Sequence, residues 1–268
     1  MSRYLIIADD FTGANDSGVQ LKRRGIETDV LFSTELMTSN SNSYVIDTES
    51  RGMKGEEAYK CVYDTAYNIN LEEFKYVIKK VDSTLRGNIP EEIKGLDDVF
   101  KSELIIFTPA LPDLNRTTVN GVHKLNNIPI TETELARDPK KPVTEDNLSK
   151  ILEKVFLEEI THVCIDDIEK EEFDFSKGRI FSFDSVTNRH MQRVIRKAIA
   201  TDKKIMWVGT AAIVENLMEV ERKTTPSMAM VGSVSSVTRG QVKYAEEKGL
   251  TLLKIPIKFN FIRTSDCI

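Results

Sequence analysis

With 268 residues, 40% apolar and 29% charged, the chain is long enough for a sizeable core and suits one large globular domain or two smaller ones. A formal net charge of -5 and a pI near 5.5 argue against the broad basic face that holds nucleic acid. The first apolar run, residues 4–8, is too short for a signal-peptide core or a membrane span, so a cytoplasmic protein without a membrane partner is expected, and three scattered cysteines suit that reducing compartment.

Residues 4–8 read as a strand that stops abruptly at Asp9 and Asp10. Thr12, Gly13, Asn15 and Asp16 then lead into a segment of helical spacing that Gly25 closes as a left-handed cap. Ligands of open α/β sheets bind at the carboxyl ends of strands, so this acidic corner is aimed into a crevice. Asp10 and Asp16 are also open to a plainer reading as helix caps. A second strand is expected at 28–32, a polar loop at 33–42, and a third strand at 43–47 whose exit carries Glu49 and Arg51. Residues 55–68 form a helix with Ala58, Val62 and Ala66 in one stripe, and Cys61 and Cys164 are expected to be small buried hydrophobes.

The next strand, 76–81, leaves through KKVDSTLRGN at 79–88, the richest stretch in the chain. Asp82 and Arg86 have the spacing of a helix-face pair, but Ser83, Thr84 and Gly87 favour a loop. A helix at 90–100 with Pro90 in its first turn and a strand at 103–108 follow. Residues 109–142 read as one long irregular segment; its apolar anchors, from Val119 and Val122 to Ile130 and Leu135, favour function over disorder.

Regular alternation then resumes. Leu148, Ile151, Leu152, Val155 and Phe156 predict a helix, 163–165 and 180–183 short strands, and Met191, Val194, Ile195, Ala198 and Ile199 another helix. A strand at 205–208, a helix at 211–218 and a linker at 219–226 complete the first part. Beyond it a strand at 228–231, the small-residue turn GSVSSVT at 232–238, a helix opened by Thr238 and Gln241 and ending near 248, and a strand at 252–257 start a further unit. Such a turn is either ordinary or a way of presenting backbone amides to phosphate. The fold class is therefore α/β, a mostly parallel sheet with flanking helices in a large N-terminal domain of residues 1–222, plus the beginning of a second α/β domain, residues 223–268.

Gly13 and Gly18 have P-loop spacing, but Val19 and Gln20 stand where Lys and Ser or Thr are required. There is no dinucleotide fingerprint, no zinc-protease motif and no nucleophile elbow, and His123, His162 and His190 are too dispersed to predict a histidine-built metal site. What remains is a set of polar strand exits: Asp9 and Asp10; Glu49 and Arg51; Lys80, Asp82, Ser83 and Arg86; then Asn115, Arg116, Asn120, Arg137 and Asp138. Arg and Lys hold a carboxylate while Asp and Asn serve hydroxyls, so the mixture suits a small polyhydroxylated anion.

Five stretches in order, IADDFTGAND (7–16), KKVDSTLRGN (79–88), PALPDLNRTTVNGVH (109–123), TETELARDP (131–139) and VGSVSSVTRGQ (231–241), resemble the four-carbon acid sugar kinases. Members of that family phosphorylate the terminal hydroxyl of threonate, erythronate or 3-oxo-tetronate with ATP, holding the sugar acid in an N-terminal domain and the nucleotide in a C-terminal one. The resemblance implies substrate contacts at Asp10, Arg51, Lys80, Val81, Asp82 and Ser83, further pocket residues at Arg86, Arg116, Asn120 and Arg137, and ATP contacts at Ser233 and Ser235. Mg2+ accompanies the nucleotide in such chemistry, and no metal site of the protein's own is expected. The family's longer chains also carry a GGDTA or GGETA phosphate loop that is not found here, which implies a chain truncated in its nucleotide-binding domain. A catalytically inactive sugar-acid-binding module is the alternative, and a phosphatase-like enzyme built on Asp9 and Asp10 a third reading. The stereoisomer used, the catalytic base and the oligomeric state, a homo-oligomer included, stay open.

Overall fold

Strand and helix alternate from the start: β1 (Tyr4–Ala8), α1 (Phe11–Arg23), β2 (Thr28–Leu31), β3 (Ser43–Asp47), α2 (Gly55–Tyr67), β4 (Tyr76–Lys80), α3 (Ile89–Phe100) and β5 (Leu104–Thr108). There follow β6 (Arg116–Val119), β7 (Val122–Leu125), β8 (Ile128–Pro129), α4 (Leu148–Glu153), β9 (Ile160–Val163), α5 (Ile165–Lys170), β10 (Ile180–Phe183), α6 (Asn188–Ile199), β11 (Ile205–Gly209), α7 (Ala211–Glu221) and α8 (Ser236–Glu247). The computed structural model describes residues 3–37, 42–222, 231–233, 235–247 and 252. The chain divides into two compact units, Met1–Arg222 and Lys223–Ile268.

In the first unit eight strands form one sheet in the order β2-β3-β1-β4-β11-β5-β10-β9, every neighbouring pair parallel. Parallel sheets need both faces covered, and β1, β3, β4 and β5 are buried along their whole length. Successive side chains point to opposite faces, so Leu5, Ile7 and Val77 pack with Val62, Ile93 and Leu152 of α2, α3 and α4. Tyr4, Ile6, Ile78 and Trp207 pack on the other side with Leu21, Val194 and Leu217 of α1, α6 and α7. This is the α/β architecture that the alternating pattern implies, with the ends of β1, β3 and β4 side by side.

The segment read as irregular, 109–142, instead holds a second sheet, antiparallel β6-β7-β8. Val119 pairs with Val122, leaving Asn120 (φ 52) and Gly121 (φ 77) as a two-residue hairpin turn, which requires positive φ at both positions. Of the apolar anchors there, Ile130 is fully buried and Ile128 is exposed.

Other departures are local. The strand expected at 163–165 lies at Ile160–Val163 because Ile165 already begins α5. Helix α7 runs to Glu221, so residues 219–221 of the expected linker are helical, and 223–226 lie outside the described residues. Thr238 does not open α8: the helix begins at Ser236, and Ser235 Oγ accepts from Thr238 N at 3.2 Å. Asp16 lies exposed inside α1 rather than at its cap. Cys61 and Cys164 are half-buried rather than core residues. The expected strands at 228–231 and 252–257 fall almost wholly outside the described residues, as does Cys267. Among the described residues no helix is long and apolar enough to cross a membrane.

Candidate functional site

The strand alternation sends the two adjacent lysines of β4 into different surroundings. Lys79 points to the α3 side, where its Nζ lies 2.9 Å from Glu92 Oε2 with both side chains fully enclosed. Lys80 points to the α1 side and ends against the first turn of α1. A Cβ on Gly13 would stand 2.7 Å from Lys80 Nζ and 2.8 Å from Asp10 Oδ1, so any side chain there would have to displace the lysine tip or the capping carboxylate. Lys80 Nζ donates to the Val81 carbonyl at 2.9 Å and has no ion pair among the described residues. Burial lowers its pKa, opposed by the charges of Asp9, Asp82 and Asp10.

Arg51, in the short turn that leaves β3, is the centre of the cluster. Its Nε and Nη2 donate to Asp9 Oδ2 and Oδ1 at 2.6 and 3.0 Å, a bidentate fork, while Nη1 donates to Asp10 Oδ2 at 2.6 Å. Burial alone would lower the pKa of the guanidinium, but the bonds and charge of Asp9, with Asp82 and Asp10, raise it above the ordinary value. Asp10 is the helix cap that its position suggests, since its Oδ1 accepts from Gly13 N at 2.9 Å at the start of α1, while its other oxygen pairs with Arg51. Gly87, at φ +103, lets the next loop close on this pair, because a Cβ there would lie 3.3 Å from Arg51 Cγ.

Asp82 and Arg86 sit in a loop, not on a helix, and pair through two bonds of 3.0 Å. Thr84 N and Arg86 N also donate to Asp82 Oδ2, at 3.1 and 3.2 Å, and the Thr84 hydroxyl bonds to the same oxygen. Burial would raise the Asp82 pKa; the Arg86 bonds, the Arg51 charge and Thr84 hold the carboxyl well below the usual range. Arg51 Nη2 stands 3.6 Å from Asp82 Oδ1, which joins the two pairs. Three carboxylates thus face three cations, with the Arg86 side chain 34% exposed.

The small antiparallel sheet fixes this loop. His123 Nε2 donates to the Ser83 carbonyl at 3.0 Å, and its Nδ1 pairs with the Thr118 hydroxyl at 2.9 Å. Burial lowers the imidazole to about 4, so His123 is neutral and holds Ser83 in place. The hairpin tip is clamped in turn by Asp184, which accepts from Asn120 N (2.8 Å), Gly121 N (2.9 Å), Ile165 N (3.3 Å) and His162 Nε2 (3.1 Å). The ligating atoms of His162, Cys164 and Asp184 lie within 4.8 Å of one another, and both Asp184 oxygens accept from the hairpin tip and its neighbours.

The structure brings Asp10, Arg51, Lys80, Asp82 and Arg86 together and sets Val81 and Ser83 beside them. Val81 is enclosed, its N–H donating to the Gly209 carbonyl at 2.9 Å, so only its backbone carbonyl, bound to Lys80, faces the cluster. Asn120 is held by its backbone at the hairpin tip, and Arg116 on β6 has a buried Nε without a hydrogen-bond partner among the described residues. Arg137 closes a short turn before Asp138, whose carboxyl lies in the field of Arg86. Ser233 and Ser235 lie in the second unit: Ser233 Oγ accepts from Ser235 N at 3.2 Å, and the Ser235 hydroxyl is taken up with Thr238. Asp9 is the residue missing from the expected contacts, and the doubled acid at the end of β1 is the signal that marks it. A cavity of about 490 Å3 lies elsewhere, between α1 and β2, and includes none of these strand exits.

Residues 4–217 match the family model described as the sugar-binding N-terminal domain. The chain is 32% identical over 262 residues to a D-threonate kinase of Salmonella typhimurium, and 29% identical over 266 residues to a D-erythronate kinase of Heliobacterium modesticaldum. The chain belongs to the four-carbon acid sugar kinase family. These alignments take in 92% of this chain in each case but only 62% and 61% of the two relatives, so it spans about three fifths of their length. Among solved structures, a domain of unknown function from Bordetella bronchiseptica, crystallised with bound citrate as a domain-swapped dimer, matches at TM-score 0.76 and 25% identity over 92% of this chain and 63% of that one. A Haemophilus influenzae protein shares the fold at TM-score 0.70 and 23% identity, covering 91% of this chain and 65% of its own.

Proposed function

We propose that this chain carries the sugar-acid site of an ATP-dependent kinase acting on the terminal hydroxyl of a four-carbon sugar acid: threonate, erythronate or 3-oxo-tetronate. The observation that carries the reading is the charge-balanced cluster at the ends of β1, β3 and β4, in which Lys80 has no ion pair among the described residues and Arg86 is partly open. Those two cations retain donors for a substrate carboxylate, while Asp10, partly exposed with one donor on each oxygen, keeps lone pairs for hydroxyls. The names of the related kinases and the citrate held by the Bordetella neighbour, a hydroxylated carboxylate, support the same ligand class. A homo-oligomer belongs to the reading, since that neighbour is a domain-swapped dimer.

ATP with Mg2+ would supply the transferable phosphoryl group, and the protein's share is to position and to neutralise charge. In the second unit the Ser235 hydroxyl already caps α8, so the exposed Ser233 side chain and the backbone amides opening the helix are the groups that fit a phosphate. The carboxylates of the cluster are engaged by arginines, so magnesium fits the nucleotide's phosphates better than a cage of protein ligands.

Isothermal titration with D-threonate, L-threonate and D-erythronate is expected to show saturable binding that Arg51→Ala weakens by at least about tenfold, as the loss of a charge-assisted bond does. No heat from any four-carbon acid overturns the reading. A second reading, a sugar-acid-binding module without turnover, is motivated by the match of residues 4–217 to a sugar-binding domain. ADP release coupled to a reporter, measured on the chain as it stands, separates the two, because sustained turnover rejects the inert module.

A further inference from the structure

Arg51 sits in a one-turn connection, Ser50–Gly52, entered through Glu49 in the left-handed region at φ 52. A turn of this length has no ladder of its own to hold a guanidinium in place. The Arg51 backbone N–H donates to the Asp9 carbonyl at 3.1 Å, and the turn is also held from below. Ser50 is fully buried and its Oγ donates to Glu92 Oε1 at 2.7 Å. Glu92 accepts from Lys79 on its other oxygen at 2.9 Å, and Lys79 is tied to the main chain through the Ile7 and Lys80 carbonyls, at 3.3 and 2.9 Å. Asn88 closes the turn from the side, donating to the Ser50 and Met53 carbonyls at 2.9 and 3.0 Å.

We infer that the buried Lys79–Glu92 pair is a positioning device for Arg51, transmitted by the Ser50 hydroxyl, and that it keeps the guanidinium aligned for a sugar-acid carboxylate or hydroxyl; the ligand named rests on the function proposed above. Energetics points the same way. A buried ion pair is often no more stabilising than well-packed apolar residues of the same volume. What an apolar pair cannot do is accept the Ser50 proton. The pair therefore adds direction to the turn rather than net stability to the core, and it does so from the face of β4 opposite to Lys80.

The test compares two double variants in the full chain. Lys79→Met/Glu92→Leu makes the pair apolar; Lys79→Met/Glu92→Gln makes it neutral but keeps an acceptor for Ser50. Thermal unfolding reports the fold, the solvent-exchange rate of the Arg51 Nε–H resonance reports alignment without any ligand, and titration with D-threonate reports binding. The apolar variant is expected to unfold near the parent temperature while Arg51 Nε–H exchanges about tenfold faster and D-threonate binds about tenfold more weakly, the factor for one bond to a charged group. The glutamine variant is expected to recover most of the protection. Where the apolar pair fails to fold, Ser50→Ala cuts the same link with the ion pair intact and is expected to give the same acceleration. Unchanged Arg51 exchange in both the apolar variant and Ser50→Ala overturns the inference. If the parent binds no four-carbon acid, the functional reading fails, yet the exchange rates still decide whether the pair positions Arg51.

Discussion

Asp9 is buried and gives both oxygens to one guanidinium, whereas Asp10 is partly exposed and divides its oxygens between α1 and Arg51. The two adjacent acids therefore have unequal effects when altered. Asp9→Asn is expected to destabilise by roughly 2 kcal/mol, below the usual 3 to 5 for a broken buried pair because Asp10 and Asp82 still face Arg51; chemical denaturation measures it. Arg51→Lys keeps the charge but loses the fork, so weaker binding with a smaller loss of stability is expected. Two further residues set opposing pH dependences. Burial, with the charges of Glu49 and Asp10, pushes the Asp47 carboxyl from 3.8 up to about 6. Between those values the folded chain holds more protons, so the contribution of Asp47 to stability falls as pH rises through that window. His123 runs the other way: its folded value of about 4 lies below the ordinary 6.5, the unfolded chain takes up the proton first, and stability is lost as pH falls between those values. The two contributions oppose each other up to about pH 6. Asp47→Asn is expected to gain stability relative to the parent as pH is raised from 4 to 6, in urea titrations at fixed intervals; a constant difference over that range would falsify the assignment.

Elements add what residues alone do not. The three-stranded β6-β7-β8 sheet is held at its tip by Asp184 and in turn holds Ser83 through His123. It acts as a brace for the Asp82–Arg86 loop. Gly121 is the weak point, since alanine there meets both the left-handed φ of 77 and a Cβ contact of 3.2 Å with Asn147 Nδ2. Gly121→Ala is expected to cost about 1 to 2 kcal/mol from the backbone conformation. Hydrogen exchange should place the lost protection in β6, β7 and the 82–86 loop, with β1 and β11 unchanged; uniform loss across the large sheet would refute the brace. This sheet was legible in principle from Asn120-Gly121 between Val119 and Val122, the strongest short-range hairpin signal. The irregular spacing of apolar residues around it hid the short strands, whose burial is partial.

At the scale of the whole molecule, the order β3-β1-β4-β11 sets the exits of four strands side by side, and the acid, arginine and lysine exits meet at three of them. A ligand that binds only this assembled state stabilises it by linkage. D-threonate at a hundredfold excess over its dissociation constant is expected to stabilise the parent by about 2.7 kcal/mol and Arg51→Ala far less; equal shifts in calorimetry would place the ligand elsewhere. Local periodicity and strand-end chemistry were enough to read all eight strands of the large sheet to within a few residues, its flanking helices other than the six-residue α5, and the polar character of the exits, because those properties repeat over a few residues. Pairing is different. Arg51 meets Asp9 across 42 positions, Asp184 meets Gly121 across 63, and Lys79 and Lys80 part company only because a pleated strand turns neighbours to opposite faces. Which carboxylate receives which cation, and whether a strand-end acid is an anchor, a cap or a clamp, was decided by the strand order, since only that order brings the separate exits within hydrogen-bond reach.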